Sequence, residues 1–236
     1  MTAPRCSPDQ ARLGDSTWTE LAVVPSSRRL LAVPIGSCEQ HGPHLPLDTD
    51  TRIAGAVAAG LAAAIPLVMV APALAITASG EHQGFAGTLS IGSAALEMVL
   101  IELVRSAQWS AGVIFVNGHG GNAAAVTAAV DVLNKEGRRV LSWWPRIQGG
   151  DAHAGRTETS LMMAIAPANV RVHAIEPGRS EPLPTLMATL RAKGVAAISP
   201  NGVLGDPRGA SASEGAELLA TLVADVIMQV NAWIAQ

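Results

Sequence analysis

Short, strand-length apolar runs alternate along the chain with longer stretches whose apolar residues recur at helical spacing. The runs over 29–35, 67–71, 112–116 and 138–143 predict strands, with a weaker strand expected over 171–174. Between them, 51–64, 94–108, 122–136, 158–166, 184–193 and 212–233 predict helices. Such alternation predicts βαβ units and a mainly parallel sheet, hence an α/β fold. The last helix opens on Ser211-Ala-Ser-Glu214, a capping-box pattern that marks a helix start. No repeat, low-complexity linker or charge run divides the chain. A short N-terminal tail and lead-in over 1–27, then one domain over 28–236, are therefore expected.

One stretch tests that reading. From Ile53 to Ser79 there is no charged residue, a length that could span a bilayer. It is mostly Ala and Gly, however, and Pro66 and Pro72 interrupt it, so a helix followed by a short buried strand is expected instead. Composition, at 49% hydrophobic and 15% charged residues, suits a folded core rather than a disordered chain. The net charge of −3, with Lys and Arg scattered, gives no footprint for nucleic acid. Two cysteines, Cys6 and Cys38, form no disulfide framework, and the first residues lack a signal peptide's apolar region, so a cytoplasmic location is expected.

Chemistry-bearing residues gather in the loops after the strands, where open parallel sheets bind ligands. The first group is Pro34-Ile-Gly-Ser-Cys-Glu39-Gln-His41-Gly-Pro-His44-Leu-Pro-Leu-Asp48-Thr-Asp50. In extended chain, residues two apart point the same way, so Glu39 and His41 can face one site, with Asp50 arriving from the next helix. The second is Val116-Asn-Gly-His119-Gly-Gly-Asn122, which lacks the Lys-Ser/Thr ending of a phosphate loop and reads better as a turn aiming one imidazole. The third is Asp151-Ala-His153-Ala-Gly-Arg-Thr157-Glu158-Thr-Ser. There Thr157 could cap a helix with Glu158 merely in its first turn, or Glu158 could close a metal site.

Counting ligands bears on that choice. Glu39, His41, Asp50, His119 and Glu158 are too many for a single catalytic metal, which usually keeps about three protein ligands. If Asp50 bridges, two metals each receive three: Glu39, Asp50 and His119 on one, His41, Asp50 and Glu158 on the other. Mixed carboxylate and imidazole ligands suit zinc, iron or manganese. His153, outside both sets, is then the candidate general acid.

These three ordered motifs resemble the creatininase family of amidohydrolases, from about residue 28 to the last helix. The resemblance implies a three-layer α/β/α fold, a dinuclear site at the strand ends, a homo-oligomer, and hydrolysis of cyclic amides, formamides or related C–N bonds. Ser79-Gly-Glu-His82-Gln-Gly-Phe-Ala-Gly-Thr-Leu-Ser-Ile-Gly92 and Gly202-Val-Leu-Gly-Asp-Pro-Arg208 are similar to members that process a modified, ribosomally made precursor peptide. That implies removal of a C-terminal Val-Tyr-derived moiety, with iron(II) and/or zinc(II) as metals and manganese(II) compatible. Some family members carry an acidic ligand two residues after the His119 equivalent; Gly121 stands there, which leaves the role to Glu158. Creatinine-specific members use tryptophans near the site, but for Trp143 and Trp144 a core role is expected for at least one.

His82 is expected to contact substrate, or else to hydrogen-bond within its loop. His44 is read as structural, Cys38 as packed away from Glu39, and Asp48 as an acceptor orienting a ligand histidine. A hydrolase of a small cyclic amide or formamide is the competing enzyme, and a noncatalytic metal-binding subunit the competing class.

Overall fold

The computed structural model describes residues 12–236; residues 1–11, with Cys6 and the start of the expected tail, lie outside the described residues. The rest of the lead-in forms single 3-10 turns around a short helix α1 (Trp18–Ala22), whose Thr17 and Glu20 make a reciprocal capping box.

Four strands, β1 (Leu30–Ile35), β2 (Val68–Val70), β3 (Gly112–Asn117) and β4 (Val140–Trp143), pair in the order β2-β1-β3-β4. Every pairing is parallel, with Leu30 opposite Val68 and Gly112, and Val113 opposite Val140. Buried on both faces, β1 and β3 read as continuous apolar runs rather than as alternation. Their side chains nevertheless divide by parity. Leu30, Ala32, Ile114 and Val116 join one core cluster, and Leu31, Val33, Ile35, Val113 and Phe115 the other.

The first cluster is closed by α2 (Thr49–Ala64), α5 (Arg156–Ile165) and α7 (Ala212–Ile234), the second by α3 (Ser93–Ser106) and α4 (Ala123–Lys135). The expected three-layer α/β/α architecture results. A further helix, α6 (Leu183–Lys193), buries no residue and sits over the loops. The uncharged stretch after Arg52 resolves into the buried half of α2, ending before Pro66, and then β2. Helix α7 is long and apolar enough to cross a membrane by length and composition, yet it packs Leu222, Val226 and Val230 into the first core cluster.

Two local expectations fail. Residues 171–174 form a single 3-10 turn, Val172–Ala174, rather than a strand: Arg171 N–H is taken by the His44 carbonyl at 2.9 Å, away from the sheet. Thr157 does not cap α5. Gly155 is its N-cap, and the Asp151 carboxylate accepts from the Arg156 and Thr157 N–H groups instead. Ser211 does cap α7, accepting from Glu214 N–H at 3.2 Å.

Trp143 is wholly buried, and its indole N–H donates to Asp225 on α7 at 2.7 Å. Asp225→Ala strands that donor in the core, so urea unfolding is expected to show a loss of about 1–3 kcal/mol. An unchanged midpoint would contradict this account of Trp143 as a core residue.

Candidate metal centre

Because all four strands run parallel, the loops leaving their carboxyl ends share one rim. The loop after β1 carries Glu39 and His41, and Asp50 follows in the first turn of α2. His119 leaves β3, while His153 and Glu158 follow β4. The turn Gly80–His82, between β2 and α3, brings Glu81 and His82 to the same place.

The last loop reaches the rim at a cost. Ala154 adopts φ +52°, a left-handed conformation that costs a residue with a Cβ about 1–2 kcal/mol. The turn places His153 and Glu158 on the same side, and Ala154 N–H donates to Glu158 Oε2 at 2.6 Å. His153 pairs through its backbone with Leu204, tying this loop to the Gly202–Arg208 segment.

Side chains converge around Asp50. His41 Nε2 lies 3.0 Å from Asp50 Oδ1 and 3.9 Å from Glu158 Oε2. His119 Nδ1 lies 3.0 Å from Asp50 Oδ2, and Glu39 Oε2 is 3.1 Å from the same imidazole's Nε2. Two three-residue groups with donor atoms within 4.8 Å of one another follow: Glu39, Asp50 and His119, and His41, Asp50 and Glu158. They coincide with the division expected from ligand counting. A third group, Glu39, His41 and His153, was not expected.

Three observations fit these groups to cations. Glu39 is fully buried, yet neither carboxylate oxygen has an aligned hydrogen bond, which is costly for a group left without a partner. His41 Nδ1 lies 3.1 Å from the Glu39 backbone carbonyl, so it donates there and turns Nε2 toward Asp50 Oδ1 as the atom that takes a proton or a metal. Likewise His119 Nε2 donates to the Ala78 carbonyl at 2.9 Å, which turns Nδ1 toward Asp50 Oδ2. Metal-ligating histidines have their tautomer fixed in this way. Ser37 Oγ donates to Asp50 Oδ2 at 2.8 Å and steadies the shared carboxylate.

The electrostatics agree. Burial pushes the Glu39 carboxyl up to about 8 and that of Glu158 up to about 7. Burial acts the same way on Asp50, but His41 and His119 outweigh it and hold its carboxyl well below the usual range. Burial alone would lower His41 and His119. The surrounding carboxylates instead raise them, Asp50 foremost for His41, to about 10, and Glu39 foremost for His119, to about 9. His153 and His82 face the opposite balance. Burial and the other imidazoles hold His153 well below its ordinary value and His82 down to about 3, so both are neutral at pH 7.

The remaining candidates divide. His82 is 4% exposed and lies 3.3 Å from Glu39 Oε1, in the wall of the site. His44 is buried against Thr159 Oγ1 at 2.8 Å, a structural contact as expected. Asp48 does not orient a ligand histidine: it turns outward and pairs with Arg52 at 2.8 Å, one helical turn on. Cys38 packs its sulfur toward the Gly87 carbonyl. Glu81 went unnoticed in the sequence. Its Oε1 is 3.6 Å from His119 Nε2, and a Cβ at Gly121 would fall 2.3 Å from that same oxygen. The missing side chain at Gly121 was the available signal, since the space it leaves is filled by a carboxylate from another loop.

The comparisons with known proteins bear on the family and the fold. Residues 14–230 match the Creatininase family, described as creatinine amidohydrolase. The mycofactocin precursor peptide peptidase of Mycobacterium tuberculosis (strain ATCC 25618 / H37Rv) is 48% identical over 240 residues, covering 97% of this chain and 94% of that protein. The crystal structure of a creatinine amidohydrolase superposes with a TM-score of 0.83 at 23% identity, covering 96% of this chain and 98% of the other. A manganese form of creatininase gives 0.82 at 23% identity, covering 96% and 99%.

Loading a divalent cation must displace the protons that the carboxylates hold on His41 and His119. Zinc affinity is therefore expected to rise as the pH is raised from about 6 to about 9, because over that range the imidazoles still hold the protons that the metal must displace. Competition against a chromophoric chelator, corrected for the chelator's own protonation, measures this. An affinity independent of pH over that range would contradict the reading.

Proposed function

The chain belongs to the creatininase family of metal-dependent amidohydrolases, and we propose that it is a peptidase that removes the modified C-terminal Val-Tyr-derived moiety from the mycofactocin precursor peptide. The observation that carries this is the 48% identity to the mycobacterial peptidase along nearly the whole of both chains.

In this reading a single domain over 28–236 holds two divalent ions, iron(II) and/or zinc(II), with manganese(II) also compatible. Glu39, Asp50 and His119 hold one, and His41, Asp50 and Glu158 the other. Once bound, the ions supply a polarised substrate carbonyl and a water whose pKa falls to about 7.

The protein's own residues do the rest. His153 donates Nε2–H to the Gln40 carbonyl at 2.8 Å, which leaves Nδ1 with a lone pair facing Glu39 Oε1 at 3.8 Å. Neutral at rest, that nitrogen accepts a proton from the attacking water as the new C–O bond forms. It then gives the proton to the leaving nitrogen as the C–N bond breaks, its work as general acid. The Glu39 and Asp50 carboxylates stabilise the imidazolium in between. The same reading makes the protein a cytoplasmic homo-oligomer whose partner is a peptide rather than nucleic acid or membrane; the net charge of −3, with Lys and Arg scattered, supports only the lack of a nucleic-acid footprint.

Incubating the metal-loaded protein with the crosslinked precursor peptide is expected to release the dipeptide-derived product, detected by mass spectrometry. His153→Ala should keep its metal but lose ~100- to 10,000-fold in turnover. An intact peptide alongside hydrolysis of creatinine or a formamide would favour a small-amide enzyme, and an unchanged rate for the variant would remove His153 from its role.

A further inference from the structure

The Gln of the Glu39-Gln-His41 motif has no part in the chemistry above, yet its side chain is buried between two histidines of the site. Gln40 Nε2 lies 2.9 Å from His82 Nδ1, 3.0 Å from His153 Nε2 and 3.0 Å from the Gly202 carbonyl. An amide nitrogen has only two hydrogens for these three neighbours. Backbone groups decide where they go.

The amide's orientation is fixed first. Gly42 N–H donates to Gln40 Oε1 at 2.9 Å, so the opposite end, facing the Gly202 carbonyl, must be the NH₂. A flipped amide would set N–H against N–H and oxygen against oxygen. Gly202 takes the first hydrogen, because a carbonyl can only accept. His153 Nε2 cannot take the second, since that ring nitrogen already donates to the Gln40 backbone carbonyl. The second hydrogen therefore goes to His82 Nδ1, which must carry a lone pair. His82 is then protonated at Nε2, the atom that faces Glu39 Oε1 at 3.3 Å.

We propose that Gln40 is a positioning residue: locked by Gly42 and Gly202, its amide fixes the tautomer of His82 so that His82 turns an N–H toward the Glu39 carboxylate. The proposal rests on the reading of Glu39 as a metal ligand, and it moves His82 from the expected substrate contact to the orientation of that ligand. Glu39 has no aligned hydrogen bond, and the 3.3 Å approach of His82 Nε2 to its Oε1 brings a donor to that carboxylate. The Gly202–Arg208 motif acquires a reason as well. Gly202 sits at φ +81°, and a Cβ there would fall 1.8 Å from Gln40 Oε1, so only glycine lets the amide reach the backbone it reads.

Long-range ¹H–¹⁵N correlation spectra of zinc-loaded protein carrying ¹⁵N-histidine test this without any activity assay. In the unmutated protein, His82 is expected to show a protonated Nε2 and a bare Nδ1, and His153 a protonated Nε2. Gln40→Met removes the amide while nearly keeping its volume. It should leave His153 unchanged, abolish the single tautomer at His82 and weaken zinc binding ~10- to 100-fold. Gly202→Ala, which displaces the same amide, should change His82 alike. A wild-type His82 protonated at Nδ1 would overturn the proposal even if neither variant folds. A His82 tautomer that survives Gln40→Met, or one that changes with zinc affinity intact, would overturn it too. Each of these outcomes leaves the peptidase reading standing, whereas a protein that binds zinc normally but cleaves no peptide would count against that reading alone.

Discussion

Three carboxylates, Glu39, Asp50 and Glu158, are drawn together at one rim of the sheet, and the rest of the site follows from the charge they bring. Glu39 and Asp50 are buried almost completely. Carboxylates in that position need positive charge, since a buried unpaired one is expensive. Protons on His41 and His119 can supply it, and so can divalent cations at the same atoms. Asp50 is the pivot: one oxygen meets His41 and the other His119, so two cations can share it. The backbone carbonyls of Glu39 and Ala78 take one nitrogen of each imidazole and turn the other toward Asp50, where it can take a proton or a metal.

The scaffold serves that cluster at local cost. A fully parallel sheet brings the loops after β1, β3 and β4 to one edge, but the loops must still turn sharply to deliver their side chains. Ala154 does so in a left-handed conformation, and Asp151 offsets part of the expense by capping α5 where no Ser or Thr can. His153 gains its position the same way, pinned through its backbone to Leu204 and through its ring to the carbonyl of Gln40. Both anchors of His153 are backbone groups, which no substitution of a neighbouring side chain removes.

Much of this was legible in the sequence, because its signals are local. Apolar runs marked all four strands, and the Glu39-Gln-His41 spacing with Asp50 in the next helix gave one half of the cluster. The division into two ligand groups followed from arithmetic on residue types. What could not be read depends on contacts between loops. Glu81 becomes visible only when its loop folds over Gly121, and Asp151 caps α5 from five residues away in place of Thr157. Asp48 misled for a related reason. Two residues before Asp50 it looked inward, but at the mouth of α2 that offset turns it to solvent and Arg52. The run over 171–174 carries strand-like residues but has no sheet edge beside it.

The central claim is that Asp50 is shared by two ions. Anomalous diffraction from metal-loaded crystals tests it most directly. Two peaks about 3.5–4 Å apart are predicted on either side of Asp50. One should touch Glu39 and His119, the other His41 and Glu158. A single peak, above all one held by Glu39, His41 and His153, would contradict the account.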